Sequence, residues 1–546
     1  LRESARTPAQ EVDDPPGPES GATLWRCDMR WDRSRLRGSM LWGLALGASA
    51  LAWPAEAWTA DISLGANLSV AAGPSVGADV SPTEAFARSA DLYRGTYRYQ
   101  GAERYEGYGP IEEQININNP PVPHVIGPRL LRDYIPGVAE EMQKWPAFFR
   151  DLVLDVHFRS YYFNRELPAR PPPPGGPNTF NQEAWALGGW AGLESGWLLD
   201  TFRAGAVGYT SQPAYAPADR DGTGLLAPGQ GSIVVLGQVY GQLKYQDYAL
   251  LTGGRFLVNQ GFVNPQDNRM IPNTFEGGAV TGVLGPVEYY AGYLTAMKQR
   301  NSDTFINMAR AAGVTSGENR GMVLTALNLD PGAIESLAPL QGLQIYFGNY
   351  FVPDIFNTFY FNPEYRRSLT EDWRVRFGVQ VFDQRSVGEE LRGAFTTWNT
   401  SARAEVGWRG LALVAMMSAT GPNSGVLVPY GGWQGYVSLA ETDFNLANEK
   451  AWEVGVTYDW GGTTFKNFKI PGLWQSLLYA EGFGIKAQAQ GVPIGKRREL
   501  DLFTVYRPPR IPGLQFRFLA SGIQQEPESR LFYDFRIILD LELPLF

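Results

Sequence analysis

The sequence predicts an all-β fold: a transmembrane antiparallel β-barrel of about eighteen strands, with short turns on one rim and long loops on the other, preceded by a partly helical extension. Three observations predict it. The first is the final stretch, 531–546. Every second residue from Leu531 is apolar: Leu531, Tyr533, Phe535, Ile537, Leu539, Leu541, Leu543 and Leu545. The alternate set, Phe532, Asp534, Arg536, Ile538, Asp540, Glu542 and Pro544, is mostly charged. A period of two sends successive side chains to opposite faces of a strand. Strands of soluble sheets average about 5–6 residues. A run this long suits a tilted strand that crosses a bilayer and extends beyond it.

The second observation is that the alternation recurs. Val239, Gly241, Leu243 and Tyr245 alternate with Tyr240, Gln242, Lys244 and Gln246. Trp373, Val375, Phe377, Val379 and Val381 alternate with Arg374, Arg376, Gly378 and Gln380, and Trp398, Thr400, Ala402, Ala404 and Val406 with Asn399, Ser401, Arg403 and Glu405. Leu514, Phe516 and Phe518 alternate with Gln515 and Arg517. In each pair one set suits lipid and the other suits water. The third is the spacing of the connections. Turns at 284–286, 369–372 and 408–411 are short; loops at 209–232, 257–274, 299–320 and 420–450 are long. One short rim and one long rim are what periplasmic turns and external loops produce, and Trp and Tyr at many strand ends fit two interfacial girdles.

The chain opens on Leu1, and residues 1–28 are rich in Pro, Glu and Asp without periodicity; they read as an untranslated or disordered leader. From Met29 the text changes. Arg30, Arg33, Arg35 and Arg37 form a basic n-region, Leu41 to Trp53 an apolar h-region, and Ala55-Glu56-Ala57 a cleavage site, which together read as a secretory signal over 29–57. An exported extension, 58–150, follows. Ser81-Pro82-Thr83-Glu84 is a capping box with Pro at the first helical position, predicting a helix to about Tyr93. Val138, Met142, Trp145 and Phe149 share one face and predict a second helix near 137–150, interrupted at Pro146. This extension could plug the inner mouth, dock a periplasmic partner or lie without fixed structure. The barrel domain then fills 151–546, opening with the strand from Leu152 to Phe163.

Composition narrows the function. The lone cysteine, Cys27, lies upstream of the expected cleavage, and the chain holds two histidines, His124 and His157. Disulfides, thiolate metal sites, thiol nucleophiles and His-rich centres are therefore not expected in the exported part, nor is any cofactor. The net charge is −9 without a concentrated basic block, which speaks against nucleic-acid binding. Mean hydropathy is −0.22, a value that hides a barrel because lipid-facing and lumen-facing residues cancel along each strand.

Residues 151–546 resemble the OprD family of outer-membrane porins. Phe158-Arg-Ser-Tyr-Tyr-Phe-Asn-Arg-Glu166 is similar to the family's opening strand. The segment from Gln266 to Gly277, Val381-Phe-Asp-Gln-Arg385, and the run from Asp443 to Trp452 followed by Thr457-Tyr-Asp459 and Pro471-Gly-Leu473 are similar to later family segments in the same order. The long extension and the loop lengths depart from the family pattern. A last strand ending on an aromatic, here Phe546, resembles the assembly signal read by the barrel-assembly machinery. The resemblance implies a monomeric eighteen-stranded channel in the bacterial outer membrane, narrowed by inward-folded loops and lined by a ladder of basic side chains that passes small anionic or zwitterionic, often carboxylate-bearing, solutes.

Within that frame the inward Arg374, Arg376, Arg403 and Arg517 are candidates for the basic wall, with Lys244 and Arg255 beside them. A row of such groups offsets the hydration that an anion loses in a narrow pore; the competing reading is that they only neutralise carboxylates such as Glu405. The constriction is placed in the third long loop, with Asn264, Asp267, Asn268 and Arg269, and in the seventh, with Tyr430, Asp443 and Asn445. Two other functions compete. A secreted β-sheet hydrolase would use paired carboxylates, but no G-x-S-x-G, H-E-x-x-H or paired-acid motif is present. A barrel sheath holding a partner protein across the membrane is favoured only by the extension.

Overall fold

The computed structural model describes residues 135–167, 181–246, 248–461, 468–489, 492–528 and 530–545. The signal, the leader, the helix expected near 81–93 and Phe546 lie outside the described residues. Eighteen long strands form the wall. They are β1 (Val153–Glu166), β2 (Asn181–Glu194), β3 (Phe202–Tyr215), β4 (Ile233–Tyr245), β5 (Ala249–Phe256) and β6 (Thr274–Leu284). Next come β7 (Val287–Lys298), β8 (Met322–Leu329), β9 (Leu343–Val352), β10 (Phe356–Ser368), β11 (Trp373–Ser386) and β12 (Thr396–Trp408). The last are β13 (Leu411–Thr420), β14 (Lys450–Asp459), β15 (Leu473–Phe483), β16 (Arg497–Tyr506), β17 (Leu514–Gln525) and β18 (Phe532–Pro544).

Each strand pairs antiparallel with its sequence neighbours, and β1 pairs with both β2 and β18. The sheet therefore closes on itself and has no free edge, the condition under which strands can cross a membrane with every backbone group paired. The closing seam aligns Arg159 with Asp540 and Phe163 with Arg536. The alternation in the last strand holds: Asp534, Arg536 and Asp540 are buried inside, while Tyr533 and Ile537 are exposed on the outer face. Aromatics ring that face at both ends, Trp373 and Tyr245 near the short-turn rim, Trp398, Trp452 and Tyr533 near the other.

The long-loop rim carries L1 (167–180), L2 (216–232), L3 (257–273), L4 (299–321), L7 (421–449) and L8 (484–496). The rule of one short and one long rim has exceptions. The loop between β9 and β10 is only 353–355, and two connections on the short rim, 330–342 and 460–472, are long. L4 contains the short helix α3 (Met308–Ala311), capped by the Asn307 side chain.

The interior is less watery than the strand pattern predicts. Inward residues of β4 to β11, among them Tyr240, Tyr290, Leu324, Tyr350, Tyr360 and Phe382, pack with Phe262 of L3, Met308 of L4 and Trp433 of L7 into one apolar cluster. A second joins Val414, Met416, Trp474, Leu478 and Phe503 of the wall to Val437, Leu439 and Phe444 of L7. A third sets Leu225 of L2 and Ile271 of L3 against Tyr161, Phe163 and Trp190. Four loops thus fold into the lumen and bury apolar side chains against the inner wall. That burial, worth about 25 cal/mol per Å², holds them there.

The predicted helix near 137–150 exists as two pieces, α1 (Pro136–Met142) and α2 (Ala147–Arg150), split where Pro146 cannot supply an N–H to continue the first. Gly196 in the first short turn donates its N–H to the Phe148 carbonyl at 2.9 Å, docking α2 on the rim. A cavity of about 330 Å³ lies there, lined in part by Arg150, Asp151, Glu194, Trp197 and Arg203.

Candidate pore constriction

L3 is held to the barrel seam by charge. Arg159 donates from Nη1 to Asp267 Oδ1 at 2.8 Å and from Nε to Asp540 Oδ1 at 2.6 Å. Arg517 Nη2 reaches the other oxygen of Asp540 at 2.6 Å, and His157 Nε2 lies 3.1 Å from Asp540 while its ring stacks on Trp190. All of these side chains are buried. Asp267 is therefore an anchor, sharing Arg159 with the wall.

L3 and L7 are joined by Asn264. Its amide donates to the carbonyls of Gly261 at 2.8 Å and Gly432 at 3.0 Å, and its oxygen accepts from the N–H groups of Gly432 and Gln266 at 2.9 and 3.0 Å. The backbones approach so closely that a Cβ on Gly431 would sit 2.7 Å from the Asn264 side chain. Tyr430 donates its hydroxyl to the Met308 carbonyl of L4 at 2.9 Å. Asn264 and Tyr430 are fully buried and act by locking three loops together.

From Leu427 to Tyr436, L7 runs along β11. Gln384 bonds the backbone of Leu427, and Gln380 bonds the Gln434 carbonyl and the Tyr436 N–H. The Tyr436 hydroxyl accepts from Asn362 at 2.7 Å and fits only because residue 378 is glycine, where a Cβ would collide with it. The loop then crosses to the opposite flank. Wall carboxylates receive its backbone: Asp501 accepts from Ala440 N–H at 2.8 Å, and Glu499 accepts from Glu441 and Thr442 at 2.9 Å each.

Where L7 meets L3, arginines gather around Phe163. The guanidinium carbons of Arg536, Arg269 and Arg165 lie over its ring at 4.5, 4.8 and 5.1 Å. Arg300 of L4 joins them by donating to the Asn268 side chain. Arg536 is paired with Asp534 and Arg165 with Glu441. The side-chain hydrogen bonds of Arg269 run to the carbonyls of Thr223 and Asn268, and Arg300's to Asn268, all neutral acceptors. Burial, then the neighbouring Arg300, Arg536 and Arg165 charges, pushes the Arg269 guanidinium well down. Burial and the charges of Arg165 and Arg536 bring Arg300 down to about 10, leaving it charged at neutral pH.

The only described histidine, His157, is buried, and among the described residues no group of three His, Cys, Asp or Glu could hold a metal ion. What the loops and the inner wall bring together is a group of guanidinium side chains at the place where L3 and L7 meet.

A family model for outer membrane porins of the OprD family matches residues 146–544. The chain belongs to the OprD family of outer-membrane porins. Solved structures agree in fold. OccK9 (OpdG) of Pseudomonas aeruginosa is 22% identical, covering 73% of this chain and all of that one, with a TM-score of 0.63. OpdK of the same organism, solved with vanillate, is 20% identical with the same coverage and a TM-score of 0.60. OccK2 (OpdF), also from Pseudomonas aeruginosa and in complex with glucuronate, is 16% identical at the same coverage with a TM-score of 0.59. No curated protein matches the chain. This OprD-family porin is a non-enzymatic channel of the bacterial outer membrane, so the short rim is periplasmic and the long rim external.

The basic candidates read from the strands are distributed unevenly through the porin. Arg376 faces inward and donates to Glu364 at 2.9 Å, and Arg403 lies inside at 2.5 Å from Glu405. Arg374 donates to the Arg409 carbonyl close to the periplasmic rim. Lys244 is also at that rim, paired with Asp200 and over the Trp197 ring. Arg255 is a correction. It pairs across the ladder with outward Val239 and is out of step with buried Leu250, Thr252 and Phe256, so it lies on the outer face against Glu276 and Phe305. Arg159, Arg165, Arg300 and Arg536 did not enter the candidate set. Three stood in legible alternation with inward residues; Arg300, on a loop, carried no pattern.

Asp443 is half-buried in L7, accepting from Ser438 at 3.0 Å. Burial pushes its carboxyl up to about 6; Ser438, Arg497 and Arg300 oppose the shift and Glu441 adds to it. An acid whose pKa is raised on folding favours the folded loop below its ordinary pKa and loses that contribution as pH rises through about 6. The pore also gains a negative charge over that interval. Anion-over-cation selectivity is therefore expected to be higher at pH 5 than at pH 7.5, and Asp443→Asn should shrink the difference. Reversal potentials at the two pH values check this; a wild-type channel with equal values at both would contradict it. The Asn445 carbonyl accepts from Val426 N–H at 3.1 Å within the same loop.

Proposed function

We propose that this porin gives passive diffusion to small hydrophilic solutes carrying a carboxylate, and that the guanidinium cluster around Phe163 is where that carboxylate is met. The observation that carries the reading is the concentration of Arg165, Arg269, Arg300 and Arg536 at the crossing of L3 and L7, with two of the four bonded, among the described residues, only to neutral oxygens. An anion that sheds water in a narrow pore recovers the lost solvation from such groups, and planar guanidinium matches a carboxylate in two bonds. Arg376 and Arg403 continue the basic surface toward the periplasm, each tempered by a carboxylate. Structures of two relatives hold vanillate and glucuronate, both carboxylates. The sheath alternative has less support: L2, L3, L4 and L7 pack the space that a threaded partner would need.

The test is a planar bilayer in a salt gradient. The wild-type channel is expected to lean toward anions. The double substitution Arg269→Gln with Arg300→Gln should lower the anion-over-cation permeability ratio by roughly threefold to tenfold, the scale of two charges partly screened in water. A wild-type channel that prefers cations, or a ratio untouched by the double substitution, would sink the proposal.

A further inference from the structure

One arginine of the cluster, Arg165, already holds a carboxylate that L7 supplies. Glu441 lies in L7 beside the external end of β1, and its side chain is ion-paired with Arg165 of that strand. Two features suit this pair to exchange partners. First, the backbone beneath Glu441 is pinned. Ala440, Glu441 and Thr442 donate successive N–H groups to Asp501 and Glu499, and the Ala440 carbonyl accepts from Arg536 at 3.0 Å. The loop therefore does not need the Glu441 side chain to stay in place. Second, the pair is wet. Arg165 is 11% and Glu441 21% exposed, whereas Asp534 and Asp540, which serve Arg536, Arg159 and Arg517, are 0% exposed. A buried pair is costly to open, while a pair that reaches water is worth little and can exchange partners. Arg165 is also held by two neutral acceptors, the Gln182 side chain at 2.5 Å and the Gly222 carbonyl at 3.3 Å, which keep its guanidinium in position if the carboxylate leaves.

We propose that Glu441 is a built-in stand-in for the solute: its carboxylate occupies Arg165 while the pore is empty and is exchanged for the carboxylate of each entering molecule. This rests on the carboxylate reading above and adds to it a competitor within the chain. The competitor weakens solute binding at the cluster, so that a carboxylate is attracted without being trapped. Passage requires binding strong enough to enter and weak enough to leave. Glu441 thus sets where the channel lies between a conduit and a trap.

The experiment uses the full-length porin in planar bilayers, with benzoate added to a potassium chloride bath as the carboxylate probe, and arabinose uptake into proteoliposomes as the neutral probe. Glu441→Gln keeps the size of the side chain and removes its charge. The expected result is a half-blocking benzoate concentration lower by roughly twofold to fivefold, the worth of a partly exposed ion pair, with arabinose uptake unchanged. Adding Arg165→Gln to Glu441→Gln should cancel the gain. Heat-modifiable migration on a gel verifies that each variant has folded, and Glu441→Asp, which keeps the charge on a shorter arm, should fall between wild type and Glu441→Gln. An unchanged or higher half-blocking concentration would overturn the proposal. So would arabinose uptake that rises in step, because Glu441 would then be only a latch for L7. If benzoate fails to block even the wild-type channel, the carboxylate reading fails first and takes this inference with it; block of the wild type with no response to Glu441→Gln removes this inference alone.

Discussion

Asp540→Ala is expected to destabilise the barrel by about 3–5 kcal/mol, the cost of removing one partner from a buried ionic network. Asp540 is fully buried and is shared by Arg159, Arg517 and His157. It lies on the seam where β18 closes onto β1, directly opposite Arg159. Without it Arg159 keeps Asp267, but the only ion pair of Arg517 among the described residues is lost. The effect should appear as loss of the compact, fast-migrating form on gels at a lower temperature. The comparison that isolates burial is Asp383→Ala on the outer face. Asp383 pairs with Arg385 at 2.7 Å, as short a contact, but the two side chains are 34% and 67% exposed. That pair should be worth under about 1 kcal/mol. Equal shifts for the two variants would mean that the seam network does not stabilise closure.

Asn264→Leu is expected to release L3 from L7 and enlarge the pore. Leucine is close to asparagine in size and fits the space, but it satisfies none of the four hydrogen bonds made by the amide. The N–H and carbonyl of Gly432 would remain buried without this partner, at about 1–3 kcal/mol per stranded group. The apolar cluster of Phe262, Phe382 and Trp433 still favours the inward loop, so the barrel should fold. The prediction is a single-channel conductance raised severalfold with frequent transitions between levels, and unchanged heat-modifiable migration. A quiet channel of wild-type conductance would show that the two loops are held by their apolar contacts alone.

Both substitutions act on residues that the sequence makes visible to different degrees. The alternation in 531–546 by itself puts Asp540 on the inner face, and the folded strand holds that register. The ordinal positions of the third and seventh long loops are also legible, because counting them needs only the strand pattern. Asn264 is legible as a loop residue, not as a lock: the Gly432 backbone that it holds in L7 is 168 residues away, and no local pattern reports it. The strand β13, Leu411–Thr420, shows the limit of periodicity from the other side. It is apolar on both faces, because one meets lipid and the other meets L7, so alternation vanishes where the interior is driest.

The sequence by itself determined the barrel, its outward lipid face and the order of its loops, because a strand's period of two is a local property and membrane burial acts on every strand alike. It left the lumen undecided. Only the tertiary structure turned Arg255 outward against Glu276, gathered Arg165, Arg269, Arg300 and Arg536 around one phenylalanine, and folded four loops into the space that the strands enclose. Those outcomes depend on which distant surfaces meet once the sheet has closed. Apolar burial and charge pairing between residues hundreds of positions apart leave no mark in the spacing along the chain.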